Sequence, residues 1–371
     1  DATPSTLITA THDLMLMRPD TQTPLTRDAL LAQKTLFAEQ PAMFDYLQAV
    51  FAFYLDKNPT EALKHLPKDM PATLDYFAFS QQTLRGLALE ATGDVKGAQS
   101  LWLKLLPLAQ QPLQREQLEL ALAINFERNG QLPNVFASDS PVQSAQVRLI
   151  LLGKAADAPL LRQQIAQGIS DNEKATAQFV LLYKELLHGQ YAPFGDDLKA
   201  LPEKPADSKL TTQLGYVYGD GQSLQLFRWN GAKAESGYVC PAIGEIAAAL
   251  HANAKDPKGL NCLGEFILRN GLDSMPLDQR PSVSQLGSSE PGFKGEAFSR
   301  LDGYQTVIAD ATAGRDEKAY ALFRAINCYG PSGYNGCGGK DVPQPVRKAW
   351  FKQLKSTYAN TMWGKTLQYY W

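Results

Sequence analysis

Apolar residues recur every three or four positions along most of the chain, the spacing of helices that bury one face. The segment from Thr83 to Leu108 carries the pattern most clearly. Leu84, Leu87 and Leu89 lead into Gly93-Asp94, and Ala98 and Trp102 follow. This predicts two antiparallel helices joined at Gly93, because glycine tolerates the left-handed conformation that ends a helix. Antiparallel helices approach closely only where facing side chains are small. Gly86 is therefore expected opposite Ala98, with Trp102 filling the groove beside them.

The template recurs. Upstream, Asp56-Lys57-Asn58-Pro59 is the turn and Ala62 the small residue, 36 positions before Ala98. Downstream, Ala123 precedes the turn at Asn129-Gly130, and Gly130 lies 37 positions after Gly93. Near the C-terminus, Gly314 sits in a turn, Ala319 is the small residue and Phe323 the groove filler. A half-match runs from Leu263-Gly264 to Asn270-Gly271. Two departures stand out: Val135 occupies the place of a small residue in the third hairpin, and Pro276 follows Gly271. Further helices are predicted over 142–152, 159–168 and 172–187, the last stopped by His188-Gly189. Pro202 to Asp207 reads as a linker. Segments 214–218 and 224–229 flank Gly219-Asp220-Gly221 and predict a β-hairpin, with a buried helix as the alternative. Residues 274–295 read as loop.

These residues resemble the tetratricopeptide repeat, a helix–turn–helix of about 34 residues with small side chains at fixed places. The resemblance rests on Gly86, Gly93, Ala98 and Trp102, with Ala62, Ala123, Gly130, Gly314, Ala319 and Phe323 in the drifted copies. It implies an all-α fold, an α–α solenoid of helical hairpins whose continuous face holds peptides or partner proteins. Tyr358, Trp363, Leu367 and Tyr370 fall at roughly helical spacing in the tail. That tail resembles the closing helix of repeat arrays in bacterial envelope lipoproteins.

Length adds that 371 residues exceed what one core usually holds. Division near residue 205 is expected, giving a helical repeat domain over 1–205 and a second helical domain over 206–371. Lys plus Arg number 36 against 38 Asp plus Glu, a balance that excludes the basic excess of a nucleic-acid binder. No apolar run reaches the roughly 18–20 residues of a membrane span.

Cysteine placement bears on the compartment. Cys240, Cys262, Cys328 and Cys337 show no Cys-x2-Cys spacing of the zinc or thioredoxin type. Four cysteines allow three connectivities; the turn-rich stretch between Cys328 and Cys337 favours pairing these two, leaving Cys240 with Cys262. Such bonds persist in oxidising compartments. The chain opens on Asp1-Ala2-Thr3-Pro4-Ser5-Thr6 without Met. A chain trimmed at an arbitrary point would begin the same way. With the cysteines, the reading is a periplasmic or secreted protein whose signal peptide has been removed.

Candidate chemistry is sparse. His12, His65, His188 and His251 do not pair at helical spacing, so no metal site is predicted. No nucleophile elbow, phosphate loop or metalloprotease motif occurs, and no cofactor is expected. Gly336-Cys337-Gly338-Gly339-Lys340 reads as a turn. Glu245 and Glu265 each follow a cysteine on a predicted helix, so a Cys240–Cys262 bond would bring both carboxylates into one neighbourhood. Paired carboxylates carry glycoside hydrolysis, and acidic residues in first turns also serve helix dipoles alone. Tyr329, Tyr334 and Asn335, on a glycine-permitted loop, offer contact area at low entropic cost. The leading reading is a binding or scaffold protein of the cell envelope with a protein or peptide partner, not an enzyme. The alternative is a glycoside-cleaving, lytic-transglycosylase-like enzyme that uses Glu245 or Glu265.

Overall fold

Side-chain caps set where the helices start. Asn58, Asp75, Asp94, Asp157, Ser170, Asp256 and Ser299 each accept a hydrogen bond from a backbone N–H of the following turn, satisfying donors that have no partner within the helix. Gly93, Gly130 and Gly271 adopt positive φ just beyond three helix ends, as the turn pattern requires. The computed structural model describes residues 26–203, 205, 223–233, 237–283 and 285–371. Among the described residues the fold is all-α, with sixteen α-helices and one two-stranded ribbon.

The chain divides into two compact units, residues 1–148 and 149–371. The first holds Arg27–Ala32, Pro41–Val50 with its π-helical continuation Phe51–Leu55, Pro59–Lys64, Tyr76–Ala91, Val95–Leu105 and Pro112–Arg128. Each of the expected small residues Ala62, Ala98 and Ala123 is fully buried. The contact at Gly86 differs from expectation: its partner is Trp102. A Cβ at Gly86 would lie 1.9 Å from the Trp102 ring, so the indole lies on the glycine itself, not in a groove beside it.

Overpacking follows from this geometry. Ala98→Leu is expected to cost about 1–3 kcal/mol, as extra methylenes in a filled core do. Gly86→Ala should cost at least as much, because a Cβ 1.9 Å from the buried Trp102 ring forces the indole to move, which outweighs the roughly 1 kcal/mol of helix propensity that alanine regains. Urea denaturation checks both, and unchanged midpoints would place this contact outside the core.

The third hairpin loses its second helix. After Gly130 the chain makes only the 3-10 turn Leu132–Phe136. Pro133 suits a first helical turn only, and Val135 and Phe136 drop into the core. Glu119 then organises the next start: its Oε2 accepts the backbone N–H of Gln143 at 2.8 Å and of Ser144 at 2.6 Å.

The second unit contains most of Ala145–Lys154, then Ala158–Gln167, Asp171–Leu187, Tyr191–Lys199, Ile243–Ala252, Pro257–Arg269, Arg300–Ala309, Arg315–Asn327, Gln344–Ser356 and Met362–Thr366. Helices packed against one another are mostly neighbours in sequence. The expected linker near residue 205 falls inside this unit. Asp171–Leu187 is its central helix, with every residue from Phe179 to Leu187 buried; a helix buried on all sides belongs in a core. Gly264 repeats the glycine-under-aromatic contact, its notional Cβ 2.7 Å from the Tyr304 hydroxyl.

Three expectations need correction here. Of the predicted hairpin, the second arm forms a 3-10 turn, Leu224–Arg228, with Leu224 and Phe227 buried three apart; 214–218 lies outside the described residues. The ribbon lies elsewhere, pairing Ala232–Lys233 antiparallel with Val239–Cys240. Phe323 is only half-buried, and Tyr320, fully buried on the same helix, is the large residue at the contact. The tail forms two helices, not one, because Thr361 caps a new start; Tyr358, Trp363 and Leu367 are nonetheless buried.

Candidate functional site

Both expected disulfides are present, Cys240–Cys262 and Cys328–Cys337. The second staples the loop that carries the candidate tyrosines. Asn335 fixes its interior: Oδ1 accepts the Cys337 N–H at 2.9 Å and Nδ2 donates to the Gly338 carbonyl at 2.9 Å. Tyr329 is buried. Its hydroxyl accepts the Val342 N–H at 2.9 Å, and the Arg347 guanidinium lies 4.1 Å above its ring. A tyrosine with hydroxyl and face both engaged is a structural post. Tyr334, 76% exposed, is the side chain the staple presents to solvent. The loop thus exposes one of its two tyrosines. Gly338 and Gly339 take positive φ, and 336–340 is a turn, as expected.

The two candidate carboxylates occupy opposite environments. Glu245 is exposed in the first turn of Ile243–Ala252. Glu265 is buried on Pro257–Arg269. Its Oε1 accepts from Arg269 Nε at 3.2 Å. Its Oε2 accepts from Arg324 at 2.8 Å and from the Tyr320 hydroxyl. Tyr320 in turn stacks on Tyr238 with ring centroids 4.0 Å apart and meets Trp363 edge-on. Asn261 joins the cluster, donating to the Tyr238 hydroxyl at 3.3 Å and the Glu317 carbonyl at 3.0 Å. Burial pushes the Tyr320 and Tyr238 hydroxyls far above their ordinary range. Both Glu265 oxygens are therefore committed inside a closed aromatic cluster, where a carboxylate fixes helices and meets no solvent.

The histidines scatter. His65 lies 3.3 Å from Glu61, and His188 is 2.9 Å from Asp278. His251 sits in a last helical turn, and His12 lies outside the described residues. Among the described residues no three potential ligands gather as a metal site would require.

Sequence reasoning missed a pair of buried charges on the central helix. Glu185 is fully buried, and its Oε1 receives Arg162 at 2.7 Å. The same guanidinium nitrogen reaches Asp197 Oδ2 at 2.7 Å, while Glu185 Oε2 has no hydrogen-bond partner. Burial, then the nearby Asp197 charge, pushes the Glu185 carboxyl up to about 8. Beside the pair is a cavity of about 280 Å³, lined by Arg162, Asp197, Ile165, Gln178, Leu181 and Leu182. The signal was legible: Lys184-Glu185 interrupts the apolar run from Phe179 to Leu187.

In the first unit, Glu90 gathers three helices. Its Oε1 accepts from Trp102 Nε1 at 3.3 Å and from Asn125 Nδ2 at 3.1 Å. At the other end, Gln114 Nε2 donates to the Leu74 carbonyl at 3.2 Å. Tyr76–Ala91 and Pro112–Arg128 are thus tied start to start and end to end, running side by side in one direction. Each leaves two large apolar side chains in solvent. Tyr76 and Leu87 are three turns apart on one, Leu113 and Leu120 two turns apart on the other, and all four are exposed. No family model, curated protein or solved structure matches the chain.

Proposed function

We propose that this chain is an exported helical-repeat protein that holds a protein or peptide partner and carries out no catalysis. The observation that supports it best is the pair of parallel helices, Tyr76–Ala91 and Pro112–Arg128, with Tyr76, Leu87, Leu113 and Leu120 in solvent. Large apolar side chains left in solvent on two linked helices are candidates for a partner-binding surface. Parallel helices repeating at the 37-residue spacing of Gly93 and Gly130 are the arrangement that tetratricopeptide-like arrays use to hold peptides. Two disulfides in the second unit support a periplasmic or secreted location. Tyr334 offers a separate contact. The enzymatic alternative has less support, because Glu265 is enclosed by its own partners and Glu245 stands alone in solvent.

The test is capture from cell-envelope extract, followed by titration of the purified binder. Leu113→Glu with Leu120→Glu should weaken binding at least about tenfold, the scale of an interface anchor, while Glu245→Gln leaves it unchanged. Release of soluble muropeptides from purified peptidoglycan, abolished by Glu245→Gln or Glu265→Gln, would promote the enzyme reading instead.

A further inference from the structure

The helix Gln344–Ser356 buries Arg347, Trp350 and Leu354. Lys348, Phe351 and Lys355 recur one position further along at the same spacing, with Lys352 beside them, so these four share the adjoining face. Lys348 and Lys352 are exposed. Two contacts lay the following segment beside this face. Lys355 Nζ donates to the Gly364 carbonyl at 2.8 Å, next to the exposed Lys365. The Phe351 ring meets the Tyr370 ring with centroids 5.2 Å apart. Leu367 is buried and anchors the run that follows. Tyr369 and Trp371 flank Tyr370, stack with centroids 6.4 Å apart, and stand 72% and 46% exposed.

Charge is one-sided here. Residues 342–371 hold Arg347, Lys348, Lys352, Lys355 and Lys365 and no Asp or Glu, in a chain whose formal net charge is -2. The rest of the chain is therefore more acidic than the whole, and an anionic surface is attracted to this face and repelled by the remainder. The exposed apolar groups decide between anionic partners. A soluble acidic chain would neutralise the lysines and leave Met362, Tyr369 and Trp371 in water. The headgroup layer of a bilayer takes both. Phosphate meets ammonium, and a Tyr or Trp ring sits at the boundary with its polar tip towards water. Lysine stems suit the same boundary.

We propose that the face built from Gln344–Ser356 and the segment 362–371 docks on an anionic phospholipid surface. Lys348, Lys352 and Lys365 lie against the headgroups, and Tyr369 and Trp371 enter the interface. Docking is peripheral, since no described helix is long and apolar enough to cross a membrane. These residues are distinct from those of the partner-binding reading, and the proposal does not depend on it.

Cosedimentation of the full chain with lipid vesicles tests it. Vesicles of equal parts phosphatidylglycerol and phosphatidylcholine should carry the protein down, and phosphatidylcholine alone should not. Each lysine near an anionic surface contributes about fivefold. Lys348→Gln with Lys352→Gln and Lys365→Gln should therefore weaken binding on the order of 100-fold, and raising salt from about 0.1 M to about 0.5 M should also release the protein. Tyr369→Ser with Trp371→Ser, all lysines kept, should weaken binding about tenfold. Both variants should melt as wild type does, because the substituted side chains are in solvent. Equal binding to neutral vesicles, or none to anionic ones, overturns the proposal. Binding to anionic vesicles that survives removal of the three lysines overturns it too. Polyglutamate that holds the protein as tightly as the vesicles do, with no effect of the Tyr369→Ser and Trp371→Ser pair, would reassign the face to an acidic protein.

Discussion

Glu265→Ala is expected to destabilise the second unit by about 3–5 kcal/mol, the cost of removing one partner from a buried ion pair. The wild-type carboxylate is shared by Arg269, Arg324 and the Tyr320 hydroxyl. Without it, Arg324, with its side chain only 15% exposed, keeps a charge in the cluster with no carboxylate to meet it. Glu265→Gln should cost less, since an amide oxygen still accepts one of these bonds. Glu245→Gln, on an exposed first turn, should fall within about 0.5 kcal/mol of wild type. Urea denaturation of the three variants orders them. A Glu265→Ala variant as stable as Glu245→Gln would show that the cluster fixes nothing. The combined change Glu265→Leu with Arg324→Met sharpens the test. Removing both charges and filling the space with apolar atoms should recover much of the loss, which a role in mere cavity filling would not reproduce.

Glu265 also marks what the sequence makes legible and what it hides. The helical period, the turns at Gly93, Gly130 and Gly271, the buried Ala62, Ala98 and Ala123, and both cysteine pairs all follow from local chemistry. Small residues, glycines and caps act within a few positions of themselves. The helices expected over 159–168 and 172–187 lie within one residue of Ala158–Gln167 and Asp171–Leu187 for the same reason. Glu265 reads on the sequence like Glu245, each a few residues after a cysteine. Its burial depends on Tyr320 and Arg324, 55 and 59 positions away, and no period announces partners at that distance. Tyr329 is the same case, since its hydroxyl is taken by residues across the stapled loop. The hairpin expected over 214–229 misled because alternating apolar residues also suit a tight helical turn, and Leu224 and Phe227 bury together with a spacing of three. Lys184-Glu185 was the readable exception: two charges inside an unbroken apolar stretch must find partners in the core or shift their titration.

Glu185 tests that shift directly. Its carboxyl is raised from 4.5 to about 8, first by burial and then by Asp197. Between those values the unfolded chain releases the proton and the folded protein keeps it. The folded state therefore binds more protons across this window, and stability falls as pH rises from about 4.5 to about 8, then levels. At 1.36 kcal/mol per pKa unit, and discounted because Arg162 is 44% exposed and screened by solvent, the loss is on the order of 2–4 kcal/mol. Glu185→Gln removes the titration while keeping the shape. Its amide oxygen can still accept from Arg162, and its NH₂ carries no charge to repel Asp197. The variant should match wild type near pH 5 and exceed it by on the order of 2–4 kcal/mol at pH 9, seen as a rising gap between urea midpoints. A gap that stays constant from pH 5 to pH 9 would mean that Glu185 ionises in the folded protein as it does in the unfolded chain. The carboxylate pair beside the 280 Å³ cavity would then hold two ordinary charges.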